Sequence, residues 1–222
     1  GDSVAARKQF IRARDLDEVR FRAPSEFNDI VRRIAREEGA TYVPVEEAFS
    51  RAAHRGIPGH DLILEHVHPN SHGYALLGRE FFAALQSSPL LRGRADFSRL
   101  KSWDAYEKEM SLTAIDQRIA THEVNTVITR WPFVPFSAQQ DYRGTYKPVD
   151  LVDSLAFFVA RGGMKYPEAK LQLARSYEAR GQIDSALAEY SGLIRDLPRS
   201  ELPSRYAAIM LLTANRPELA AT

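Results

Sequence analysis

The chain has 222 residues, 44% of them hydrophobic and 27% charged, the proportions of a globular rather than a disordered protein. Thirty basic residues against 29 acidic ones leave a net charge of +1, which removes the electrostatic case for nucleic acid as a partner. The absence of cysteine excludes disulfides, thiolate metal sites and cysteine nucleophiles. No uncharged stretch reaches the roughly 18 residues of a membrane span, so no transmembrane segment and a soluble piece are expected, with the compartment unassigned.

Ala6, Phe10 and Ala13 recur at helical spacing, with Leu16 and Val19 extending the stripe. After a break at Phe21-Arg22-Ala23-Pro24, Ser25 opens a second helix with Phe27, Ile30, Val31, Ile34 and Ala35 on one face and Gly39 as its stop. Thr41-Tyr42-Val43-Pro44-Val45 has the β-branched and aromatic content of a short strand, which Pro44 demotes to an edge or a strand end. Glu46 to Arg55 reads as helix, Gly56-Ile57-Pro58-Gly59 as loop, and Leu62-Ile63-Leu64 as a second brief apolar run. A third amphipathic helix carries Tyr74, Leu77, Phe81 and Leu85. This alternation predicts part of an α/β layer, although two strands are fewer than a self-sufficient sheet needs.

Ser87-Ser88-Pro89 and Arg92-Gly93-Arg94 mark a connector, and one helix is expected from about Ser102 to Thr121, with Trp103, Tyr106, Met110, Ile115 and Ile119 inward. Trp131-Pro132-Phe133-Val134-Pro135-Phe136 is excluded from a helix interior or a central strand by its prolines and reads as an extended aromatic brace or lid. From Tyr166 onward Leu173-Ala174, Tyr177, Gly181, Ala186, Tyr190 and Pro198 fit the tetratricopeptide (TPR) repeat of about 34 residues. Lys170 stands where that repeat usually has a large aromatic residue. Ala207-Ala208, Leu211 and Ala220 continue the period into a second, incomplete copy. The same register laid on the N-terminus puts Gly1, Ala6 and Phe10 at the places of Gly181, Ala186 and Tyr190. The chain is therefore expected to start inside a repeat and to be a fragment or to pair with a missing segment, because half a helical hairpin cannot bury its own apolar face.

Five of the six histidines fall between residues 54 and 72: His54, His60, His66, His68 and His72. In Glu65-x-x-His68-Pro69-Asn70-x-x-Gly73-Tyr74 a carboxylate three residues before a histidine can take its Nδ1–H, leaving Nε2 as a general base. The start of the following helix disfavours imidazolium, whereas Glu65 stabilises it. Two other readings stand beside this one. His66, His68 and His72, with Glu65 or Asp61, could gather round a metal ion. Alternatively His66 and His72 are loop hydrogen-bonders, with Asn70 or Ser71 capping the helix. His122, isolated in a helical region, is expected to be a packed or surface residue.

The block from Glu65 to Tyr74 resembles the last conserved block of SGNH (GDSL-type) hydrolases, usually Asp-x-x-His-Pro before a Gly-Tyr-containing helix. Residues 13–24, followed by Gly56-Ile57-Pro58-Gly59 and Glu65-His66-Val67-His68-Pro69-Asn70, are similar to bacterial proteins that join such a hydrolase to TPR repeats. The resemblance implies an ester hydrolase or O-acyl transferase with His68 as base, Glu65 in place of the usual Asp as its orienting acid, and a nucleophilic serine on a preceding segment. It needs no cofactor and no metal, and its substrate is an ester or acylated molecule of unknown identity. Gly1-Asp2-Ser3 spells the nucleophile motif by letter but lacks the preceding strand that a nucleophile turn requires.

The expected fold is mixed α/β and predominantly helical, a partial SGNH-type α/β/α layer followed by TPR-like helical hairpins. Residues 1–19 would end a repeat, 20–88 belong to the hydrolase, 89–165 form a helical connector, and 166–222 form repeats. The alternative function is a TPR scaffold without catalytic activity, with a protein or peptide partner on those helices.

Overall fold

The structure, a computed structural model, describes residues 2–19, 22–89, 91, 94–110 and 112–219. Gly1, Phe21, Arg92-Gly93 and Ala220, to which the motif, break, connector and repeat readings refer, lie outside the described residues. The chain divides into two compact units, Gly1–Glu107 and Lys108–Thr222.

The first unit contains α1 (Ser3–Asp15), α2 (Ser25–Glu37), α3 (Val45–Ala52) and α4 (Ser71–Ser87); α5 (Trp103–Glu109) carries the boundary. Its apolar centre is small. Phe49 of α3 and Ala53, which caps its C-terminus, meet Leu62 of the following loop, with Val45, Ile63, Leu76 and Leu77 packed around them. Charge supplements this core: Arg14 of α1 donates to Glu46 Oε1 of α3 at 2.7 Å and to Ser25 Oγ of α2 at 2.6 Å. Phe27, Val31 and Ile34 of α2 and Tyr74, Phe81 and Leu85 of α4 remain exposed.

The mixed α/β expectation is overturned: among the described residues there are helices and no strand. What remains of the two anticipated strands is an isolated antiparallel bridge between Ile63 and Pro69. The physical reasons are local. Pro44 precedes α3 and its carbonyl accepts from Ala48 N, so Val45 starts a helix instead of ending a strand. At the second run, Gly59 O accepts from both Leu62 N (3.0 Å) and Ile63 N (2.8 Å), so those donors serve a turn instead of a ladder. A three-residue apolar run cannot by periodicity alone distinguish strand from buried loop.

The second unit is a stack of helices: α6 (Ala114–Ile128), α7 (Tyr142–Thr145), α8 (Leu151–Ala160), α9 (Tyr166–Ala179), α10 (Ile183–Asp196) and α11 (Leu202–Thr213). The single helix expected across residues 102–121 is two, because Thr113 and Asp116 form a capping box that starts α6 afresh. Ile115, Leu155, Ala156, Ala169 and Leu173 join α6, α8 and α9, while Ala174, Ala186, Tyr190, Ala207, Met210 and Leu211 join α9, α10 and α11. Tyr177 packs against both clusters. Ala174 and Ala186 are fully buried, which is where small side chains let helices approach closely. Gly181 closes the turn between α9 and α10 at φ +70°, a left-handed conformation that strains any residue with a Cβ.

Candidate functional site

The histidine-rich segment folds into a loop sealed against the start of α4. Leu64 N donates to His68 O at 2.8 Å and Asn70 N to Leu62 O at 2.9 Å, bringing the two sides of the loop together. Asn70 caps α4, its Oδ1 accepting from Gly73 N at 3.0 Å, while its Nδ2 donates to His60 O at 2.9 Å. Gly73 is buried where a Cβ would stand 2.8 Å from Pro69 Cβ and drive into Leu62 O, so the helix reaches the loop only because that position has no side chain.

Glu65 lies inside this turn with its side chain 4% exposed. Its Oε2 accepts from Val67 N at 2.9 Å and from His66 N, and its Oε1 accepts from His68 N at 3.2 Å. His68 Nδ1 meets Oε1, and His66 Nδ1 lies against Oε2. Burial pushes the Glu65 carboxyl up, but these backbone N–H groups and the two imidazoles outweigh it and hold it at about 2. An ionised carboxylate only accepts, so the proton of a neutral His68 resides on Nδ1 and its Nε2 carries the lone pair. The His68 side chain is 66% exposed, and among the described residues no hydrogen bond engages Nε2. The pair therefore presents an oriented, accessible proton acceptor backed by a fixed negative charge.

The other candidates are placed elsewhere or differently employed. Asp61 braces the loop, accepting from His54 N at 3.0 Å and Gly59 N at 2.9 Å, and these bonds lower its pKa. His72, in the first turn of α4, points Nδ1 toward Glu107 Oε2 at 3.8 Å. Among the described residues no three histidine, aspartate or glutamate side chains converge as a metal site. Ser3 begins α1 next to the capping Asp2, and no hydrogen bond among the described residues joins it to a histidine.

Two buried polar clusters in the second unit escaped the sequence reading. His122 is buried, its Nε2 3.1 Å from Asp153 Oδ1 and its Nδ1 2.7 Å from Tyr142 Oη. Asp153 also accepts from Tyr146 Oη at 2.9 Å and from Val149 N at 3.0 Å. With both ring nitrogens engaged inside the unit, His122 ties α6 to α7 and α8. The partner is 31 residues distant, so no local motif marks it. Lys170, fully buried, lies 2.8 Å from Asp116 Oδ2 and 3.2 Å from Glu189 Oε2. Its signal in the sequence was a charge where the resemblance to the TPR pattern led an aromatic residue to be expected.

No family model, no curated protein and no solved structure matches the chain. No helix among the described residues is long and apolar enough to cross a membrane.

Proposed function

We propose that this chain carries the base-and-acid half of an ester hydrolase or O-acyl transferase site of SGNH (GDSL) type. The observation that supports it is the contact between His68 Nδ1 and Glu65 Oε1 with the opposite edge of the ring exposed. In this reading a serine from outside these 222 residues loses its proton to His68 Nε2 as its Oγ attacks the acyl carbon. The Nε2 proton then passes to the departing alkoxide. Water, or a second alcohol in the transferase case, attacks the acyl carbon with its proton taken by the same nitrogen, and the acyl–Oγ bond breaks as that proton passes to the serine oxygen. Glu65 stays ionised throughout and stabilises the transient imidazolium.

The test is hydrolysis of an acetyl ester by the complete gene product that includes this chain. His68→Ala is expected to lower kcat by about 10³-fold or more, and Glu65→Gln by a smaller factor, both with little change in KM. Unchanged kcat/KM in His68→Ala would overturn the assignment.

A second reading, a TPR-type interaction scaffold, is favoured by α9, α10 and α11, which pack through small residues at the repeat positions Ala174, Ala186 and Ala207. Its test is affinity capture with the intact chain before and after charge-reversal of exposed residues on α9 and α11. Identical recovery of partners in both would remove its support.

A further inference from the structure

The Glu65 carboxylate has a second imidazole against it that the hydrolase reading leaves unused. Its two oxygens are divided between the rings: Oε1 meets Nδ1 of His68, and Oε2 lies against Nδ1 of His66. Access to water separates the two, the His68 side chain being 66% exposed and that of His66 20%. The His66 contact is an ion-pair contact and not an aligned hydrogen bond, so it gains its strength when His66 carries a proton.

The other charged groups on the elements that close this loop are differently employed. Asp61 accepts from His54 N and Gly59 N, Arg51 of α3 pairs with Glu80 of α4 at 3.7 Å, and His72 of α4 faces Glu107 of α5. The side chains of His54, Arg55 and His60 are exposed to solvent. One carboxylate charge therefore serves two imidazoles. The first ring to take a proton has the whole of that charge, whereas the second takes its proton beside a cation that already shares it. We propose, on the footing that His68 is the base, that His66 is a positioning residue that sets the basicity of His68 by competing with it for Glu65. A protonated His66 draws on Oε2 and adds a like charge beside His68. His68 then stays neutral, and able to take a proton from a nucleophile, to lower pH than it would with Glu65 to itself.

The experiment follows both rings of the 222-residue chain by imidazole ¹⁵N shifts as pH is lowered from about 9 to about 5. His66→Phe removes the competitor and should move the protonation midpoint of His68 up by about 0.5 or more. His68→Phe, at the more exposed position, should move that of His66 up by the same amount, because linkage is reciprocal. Glu65→Gln should bring both midpoints down. A role for His66 in packing alone would not produce the reciprocal movement. In the complete gene product, the acid limb of kcat/KM for the acetyl ester should move to higher pH in His66→Phe to match. The proposal is overturned if His66→Phe leaves the His68 midpoint unchanged or lowers it, or if the His66 midpoint is indifferent to His68→Phe. The shifts are read without turnover, which keeps the two readings apart. Reciprocal midpoints without ester hydrolysis would remove the hydrolase assignment alone, and hydrolysis with independent midpoints would remove the role of His66 alone.

Discussion

Lys170 Nζ and Glu189 Oε2 stand 3.2 Å apart with side chains 0% and 2% exposed, an ion pair between α9 and α10 inside the second unit. Asp116 of α6, at 2.8 Å, makes the ammonium the shared counter-ion of two carboxylates. Burial pushes the Glu189 carboxyl up even against Lys170, whereas Asp116, closer to the surface and also bonded by Thr113 N, is held down. The cluster joins α6 to α9 and α10.

Lys170→Met should therefore destabilise the chain by about 3–5 kcal/mol, because it leaves two buried carboxylates without their cation. The double variant Lys170→Met, Glu189→Leu should recover much of that loss, since an apolar pair of similar volume needs no desolvation of charge. Urea unfolding of both variants at neutral pH measures the difference. Equal midpoints for the single variant and the unmodified chain would refute the coupling.

Glu65 gives the loop a defined acid sensitivity. Its folded-state pKa of about 2 lies below its ordinary 4.5, so the unfolded chain binds the proton more readily. The stabilisation is complete above about pH 4.5 and is lost as pH falls from there toward 2. Its size is on the order of 3 kcal/mol by linkage. Glu65→Gln should flatten that part of the stability curve in acid titrations followed by circular dichroism, and should lower stability at pH 7.

Gly73→Ala tests how tightly α4 is held against the loop. The added methyl would meet Pro69 Cβ at 2.8 Å and the Leu62 carbonyl, neither of which is the far end of a flexible side chain. A loss of about 2 kcal/mol is expected despite alanine's better helix propensity. Imidazole ¹⁵N shifts should also show His68 losing its Nδ1–H preference as the Glu65 turn is displaced. An unchanged or raised unfolding midpoint would contradict the close approach.

The chain's helices were readable where apolar spacing and end signals agreed, as in α2, α4, α9 and α10. The Glu65–His68 pairing was readable too, because residues three apart in a turn closed by Pro69 and Asn70 have few other ways to arrange themselves. The supposed strands were not. Thr41–Val45 and Leu62–Leu64 have strand composition, but a strand exists only through a partner that accepts its ladder bonds. Here Pro44 leads into α3 and Gly59 takes the donors of Leu62 and Ile63.

By itself, then, the sequence determined local matters: helix periodicity, the capping by Asn70, the turn at Gly181, and a carboxylate within reach of His68 Nδ1. Tertiary structure decided that neither strand-like run finds a partner strand among the described residues. It also decided that His122 is engaged by Asp153 and Tyr142, that Lys170 neutralises Asp116 and Glu189, and that Trp131 and Phe136 face solvent. The reason is one of range. Dihedral preferences and short hydrogen bonds act within a few residues, whereas desolvation depends on which distant groups the packed chain brings together.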